Sequence, residues 1–149
     1  VAPGAVTCID PAGGRGDITQ GGIVWQSTDV SITLATPAVK DGLVYVQDLL
    51  GTVTCLDAKT GKLQWQHATE HPIEWTSPLV ADGKLYVGAN DLWVFAASRE
   101  KQLLARSEGK LCNIAPTATD GILLLPTYEH IRAFGEVDRG TPREDARLW

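Results

Sequence analysis

Three stretches of this chain repeat one pattern: TPAVKDGLVYV at 36–46, SPLVADGKLYV at 77–87 and APTATDGILLL at 115–125, each with a Pro, then Asp-Gly, then an apolar alternation. The prolines, Pro37, Pro78 and Pro116, lie 41 and 38 residues apart, within the spacing of roughly 40 to 50 residues expected of a four-stranded propeller blade. A repeat of this length constrains the fold more than any short motif. One unit cannot bury its own faces, so successive units must stack.

The strands within a unit follow from turn chemistry. Asp41-Gly42, Asp82-Gly83 and Asp120-Gly121 are two-residue hairpin turns in which Gly accepts a positive φ. The strand after each turn (LVYVQ, KLYVG, ILLLP) leads through a short polar loop to a third strand (TVTCLD, LWVFAA, HIRAF). A second turn at 58–61 then sends KLQWQ out as the fourth, outermost strand. AVTCID and IVWQS match third and fourth strands, so the chain opens halfway through a blade, and no helix is required. The expected fold is all-β: a single partial β-propeller over 1–149, built from four-stranded antiparallel blades. Its expected units are a half blade at 1–34, blades at 35–75 and 76–113, and a final blade with a polar tail at 114–149, with a doubtful fourth strand at ARLW. That makes about three and a half blades of a partial ring, whereas closed propellers need roughly four to eight. Two apolar sheet faces and a strand edge then need cover, from the remainder of a larger propeller or from a second copy of the chain. The chain contains no Met, so it is expected to be a piece of something longer.

Composition narrows the function classes. With 149 residues, 44% hydrophobic content and five Trp, the chain can bury one sizeable core. Its net charge is −5, and Lys and Arg are interspersed with carboxylates, which gives no footprint for nucleic acid or an anionic membrane. No apolar run approaches the roughly 18 residues of a membrane helix, so no membrane insertion is expected. Cys8 and Cys55 take equivalent places on third strands of neighbouring blades, where packed sheets stand about 10 Å apart, too far for a disulfide. They are read as buried small residues, and Cys112 as the more exposed thiol.

The hairpin CLDAKTGKLQW at 55–65 meets the pattern small-x-Asp-x-x-Thr-Gly-x-x-x-Trp with Cys55, Asp57, Thr60, Gly61 and Trp65. In this it resembles the tryptophan-docking repeat of the quinoprotein-type (PQQ-like) β-propellers. The resemblance implies that Trp65 packs between adjacent blades while Asp57 and Thr60-Gly61 hold the turn. The first unit keeps Cys8, Asp10 and Trp25 around a longer loop, PAGGRGDITQGG. The third, FAASREKQLLA, has neither Thr-Gly nor Trp, and Leu104 or Ala105 must fill the slot; the last keeps only Ala133 and Trp149. The chain most resembles the carboxyl-terminal part of bacterial PQQ-like repeat proteins, which implies an extracytoplasmic setting.

Other strings have bland explanations. His67-Ala-Thr-Glu70-His71 fits the H-x-x-E-H metalloprotease signature, which needs both His on one helix face, but Pro72 follows and the segment joins an outer strand to the next blade. No metal is expected there. Ser98-x-x-Lys101 and Lys59-Thr60-Gly61 occur in the reverse of the order in penicillin-binding enzymes and are turn residues. Arg15-Gly16-Asp17 is loop chemistry.

Topology places the hairpin turns on one propeller face and the second-to-third-strand and inter-blade loops on the other. The second face gathers Asp48, His67, Glu70, His71, Trp75, Asn90, Asp91, Tyr128, Glu129 and His130, a mixture suited to gripping a ligand or a partner peptide. The expected function is a non-catalytic binding or assembly scaffold with no catalytic residues and no cofactor. One alternative is a fragment of a PQQ- and calcium-dependent dehydrogenase, for which Trp75 with Glu74, Asp48 or Asp91 is the available combination. Another is a carbohydrate-binding propeller that stacks sugars on Trp75 and Tyr128.

Overall fold

The computed structural model describes residues 4–12, 14–19, 21–72, 75–108 and 115–135. These form thirteen strands, β1 (Val6–Ile9), β2 (Ile23–Ser27), β3 (Ala38–Lys40), β4 (Leu43–Gln47), β5 (Thr52–Asp57), β6 (Leu63–Ala68), β7 (Leu79–Ala81), β8 (Lys84–Ala89), β9 (Asp91–Ala96), β10 (Leu103–Ser107), β11 (Thr117–Thr119), β12 (Ile122–Pro126) and β13 (Ile131–Gly135). They divide into four antiparallel meanders: β1-β2, β3-β4-β5-β6, β7-β8-β9-β10 and β11-β12-β13. The chain is all-β, a partial β-propeller whose two complete blades have four strands each. The suggested last strand at ARLW, the slot of Trp149, Cys112 and Glu74 lie outside the described residues.

The three Asp-Gly hairpins take positive φ at both central positions, 50° and 75° at Asp41-Gly42, 48° and 66° at Asp82-Gly83, and 48° and 75° at Asp120-Gly121. Two left-handed residues in succession make the turn whose twist matches the flanking strands. Asp tolerates the first position better than most residues, because its short carboxylate can bond locally.

Strands β4 and β9 show how a blade serves two neighbours. Side chains alternate across a strand, so Val44 and Val46 of β4 join Leu56 and Val30 in one cluster, toward the first unit. Leu43 and Tyr45 pack the other way, with Cys55, Trp65, Trp93 and Phe95, against the third. On β9, Trp93 and Phe95 face that same seam, whereas Leu92 and Val94 meet Leu125 of the last unit. A middle strand of a stacked blade is thus apolar on both faces, and Leu43, Val44, Tyr45 and Val46 of β4 are all buried, while the buried Gln47 that ends it donates to the Thr76 carbonyl at 2.9 Å.

The outermost strands β2, β6 and β10 each carry an irregularity just before the motif position. Cys8 pairs with Trp25 and Ile9 with Ile23, Cys55 pairs with Trp65 and Leu56 with Leu63, and Phe95 pairs with Leu103 and Val94 with Ala105. Val24, Gln64 and Leu104 are therefore the extra residues of three bulges. A bulge re-aims the next side chain, which is Trp25, Trp65 and, in the third blade, Ala105.

Candidate functional site

The motif residues form joints between blades. The Trp25 indole nitrogen donates to the Ala58 carbonyl at 2.9 Å, and the Trp65 indole nitrogen to the Ser98 carbonyl at 3.0 Å. Each tryptophan thus anchors to the turn between the third and fourth strands of the next blade. Asp57 builds the first of those turns, its Oδ1 accepting from the Lys59 and Thr60 amides and the Thr60 hydroxyl at 3.1, 3.0 and 2.9 Å. Gly61 follows with φ of 69°, and a Cβ there would lie 2.5 Å from the Trp25 ring. The glycine is required twice, by the backbone and by the indole lying on it.

Trp65 is 6% exposed and packs against Tyr45 at 6.0 Å and Phe95 at 5.5 Å between ring centroids. Cys55, its cross-strand partner, is fully buried, and burial pushes its thiol up to about 12. Both Cys8 and Cys55 are free. Arg99, in the turn that receives Trp65, reaches back to Asp57 at 2.7 Å. That guanidinium, followed by the Thr60 and Lys59 donors, holds the Asp57 carboxyl at about 2.

The opposite face is formed by the loop residues 28–37, 48–51, 69–72, 75–78, around 90, and 127–130. The polar residues that the sequence assigns to it divide into two groups. Asp48 is buried, with its carboxylate accepting from the amides of Leu50 at 3.0 Å, Thr52 at 2.9 Å and Ser31 at 3.3 Å, which ties the 48–51 turn to the preceding linker. Asp91 is also buried, and its Oδ2 accepts from Arg106 at 2.9 and 2.7 Å. Arg106 in turn lies 4.3 Å from the Trp93 ring centre and bonds Glu70 at 3.4 Å. His67 points into the seam between blades, with its ring 4.9 Å from Trp93 and 5.0 Å from Phe95. Asp48, Asp91 and His67 are therefore framework.

The remaining group reaches solvent. Trp75 is 62% and Tyr128 72% exposed. His71, Asn90, Glu129 and His130 are exposed as well. Asn90, with φ of 61°, caps the tight β8–β9 turn. Thr127 shapes the Tyr128 loop, its amide donating to the His130 carbonyl at 2.8 Å and its hydroxyl oxygen accepting from the His130 amide at 3.1 Å. Sequence reasoning missed the apolar members of this face, Leu50 at 63% exposure together with Leu34 and Ile32. The Leu49 amide donates to the Ile32 carbonyl at 2.9 Å, so the 48–51 turn and the 28–37 linker touch. Leu50 beside Gly51 in a turn was the available signal, since an apolar residue at a turn apex has nothing to pack on.

The H-x-x-E-H segment is strand followed by turn: His67 lies in β6, and Glu70 takes φ of 69°. Among the described residues no group of three or more His, Cys, Asp or Glu could hold a metal ion. The Arg15-Gly16-Asp17 tripeptide is a turn at positive φ on Gly16, with Asp17 accepting from the Thr19 amide.

A stack of antiparallel meanders, two of them complete with four strands, whose first two seams are joined by docked tryptophans defines a β-propeller of the PQQ-like repeat class. The chain belongs to the repeat family described as outer membrane protein assembly factor BamB, which matches residues 2–121. Among solved structures it resembles BamB from Moraxella catarrhalis, with a TM-score of 0.65 and 21% identity, covering 77% of this chain and 37% of that one. It also resembles the quinohemoprotein alcohol dehydrogenase ADHIIG from Pseudomonas putida HK5, with a TM-score of 0.55 and 22% identity, covering 68% of this chain and 18% of that one. At these identities both likenesses are of fold. A 53-residue stretch is 51% identical to the serine/threonine-protein kinase AfsK of Streptomyces griseus, covering 36% of this chain and 7% of the kinase.

Proposed function

We propose that this chain is a non-catalytic binding and assembly module, and that its loop face is a protein-contact surface. The observation that carries this reading is where the large apolar side chains lie. Ile32, Leu34, Leu50, Trp75 and Tyr128 are exposed on loops of one face, whereas the turns of the other carry Asp41, Lys59 and Asp82, with exposed Val39, Leu63, Leu103 and Leu104 confined to the strands that flank them. Apolar and aromatic residues with a polar rim are the composition of a partner site. A calcium- and PQQ-binding funnel fits these residues poorly, because the Asp48 carboxylate is engaged by three backbone amides and Asp91 by Arg106. The name of the family and the likeness to BamB support an assembly role in an extracytoplasmic setting. The kinase match, at 7% of that protein's length, fits a recognition part of a larger chain.

The flanks require cover in the same reading. Ile9, Ile23 and Val24 are exposed on the first unit, and Ile131 and Phe134 on the last. Further blades, or a second copy of the chain, would cover both.

The test is selection of peptides from a displayed library on the wild-type chain, followed by binding to a Trp75→Ala, Tyr128→Ala variant. Loss of binding with an unchanged melting temperature supports the reading. Tryptophan quenching by PQQ with Ca²⁺ accompanied by dye reduction would replace it with the dehydrogenase, and selective glycan-array binding with the carbohydrate propeller. Sedimentation showing a stable monomer, with a structure in which the edge of β1 away from β2 is exposed and unpaired, would overturn the requirement for cover.

A further inference from the structure

Among the described residues, His67 is the one imidazole in the aromatic seam between the second and third blades. Its imidazole is wedged against Trp93 and Phe95 of β9, on the same face of β6 as Trp65. Its Nε2 is buried with no hydrogen-bond partner among the described residues. The charged groups around it come from every neighbouring element. Lys101, in the turn before β10, donates to the Gln66 carbonyl at 3.3 Å. Arg106 on β10 sits over Trp93 at 4.3 Å. Glu70, in the linker after β6, bonds Arg106 from the far side, and Asp91 on β9 holds the same guanidinium.

We propose that this seam is an acid-sensitive joint between blades and that His67 is its switch. The neutral ring fills the edge of the seam as an apolar wedge. A protonated ring would carry a buried N–H and a charge beside two cations, one of which already occupies the Trp93 ring, while both nearby carboxylates are committed to Arg106. A buried charge without a partner is costly, and the economical relief is for the ring to leave the seam and loosen β6 from β9. The environment agrees with the geometry: burial first, then Lys101 and Arg106, hold the imidazole below its ordinary 6.5, with Glu70 opposing. The sign follows. A histidine lowered in the folded state is neutral in both states above 6.5, and below that value the opened state binds the proton first, so the joint weakens as pH falls.

The test is an NMR titration of the His67 ring in the full chain, with amide hydrogen-exchange protection factors at about pH 7.5 and pH 5. The expected result is a His67 midpoint below 6.5 and a loss of protection on acidification concentrated in β6 and β9. In His67→Phe, which keeps an aromatic wedge, that loss should shrink to a minor part, whereas His71→Gln and His130→Gln should keep it. A His67 midpoint at or above the ordinary value would overturn the proposal. So would an equal loss of protection in wild type and His67→Phe. Should His67→Phe fail to fold, the wild-type midpoint and the location of the exchange change decide alone.

Discussion

The seam between the first and second units and the seam between the second and third are made with the same anchor and filled with different material. In both, an indole N–H reaches a turn carbonyl 33 residues ahead, Ala58 from Trp25 and Ser98 from Trp65, at 2.9 and 3.0 Å. Around Trp25 the filling is aliphatic, with Val30, Val44, Val46 and Leu56, and the indole is half-buried on Gly61. Around Trp65 it is aromatic, with Tyr45, Phe95, Trp93 and the His67 ring. The anchor therefore sets register and spacing, while the burial around it sets how strongly the joint holds. The third blade supports this division. Its bulge is present, but Ala105 stands at the tryptophan position and every residue of β10 is exposed.

The comparison breaks most readily at Trp65. Trp65→Ala is expected to cost about 3 to 5 kcal/mol, the usual effect of removing a large buried aromatic, whereas Trp25→Ala, with less ring to lose, should cost about 2 kcal/mol. Chemical denaturation of the two variants measures both. Equal costs would mean that the anchor and not the burial holds the seams. Gly61→Ala sharpens the same point. It should cost about 2 kcal/mol in the wild type, by left-handed strain and displacement of the Trp25 ring, but only about 1 kcal/mol in the Trp25→Ala background, where the strain alone remains. An unchanged cost in the two backgrounds would separate the glycine from the indole.

Sequence made the blades legible where turn chemistry is local. Asp-Gly before an alternating strand has few other solutions, and in the structure Asp57 and Thr60 shape the turn, Gly61 lies under the Trp25 ring and Trp65 pairs with Cys55. Directions of side chains were less legible. Asp48 and Asp91 read as loop carboxylates, yet one caps its own turn and the other clamps Arg106. A carboxylate facing solvent and one accepting three amides are the same letter. His67 reads as a loop residue when KLQWQ ends its strand at Gln66, two residues short of the end of β6. Once β6 extends to Ala68, the alternation that buries Trp65 carries His67 into the same seam. The role of Arg106 depends on Trp93, Asp91 and Glu70 meeting from two blades, which no local pattern encodes.

The smallest effect concerns the link between the two docking turns. Asp57 shapes the turn that receives Trp25, Arg99 belongs to the turn that receives Trp65, and their ion pair at 2.7 Å connects the two joints. Because Arg99 is mostly exposed, removing it should change stability at neutral pH very little. The acid limb is where it acts. Asp57 is held at about 2 in the folded chain against an ordinary 3.8, so its contribution is complete above 3.8 and disappears as pH falls toward 2, the range in which the unfolded chain binds the extra proton. In Arg99→Ala the Asp57 midpoint, followed by carboxyl NMR, should climb toward 3.8 without reaching it, because the Thr60 and Lys59 donors remain. The stability–pH slope over that range should flatten accordingly. A midpoint that stays near 2 in the variant would assign the shift to the turn alone and leave the two joints unlinked.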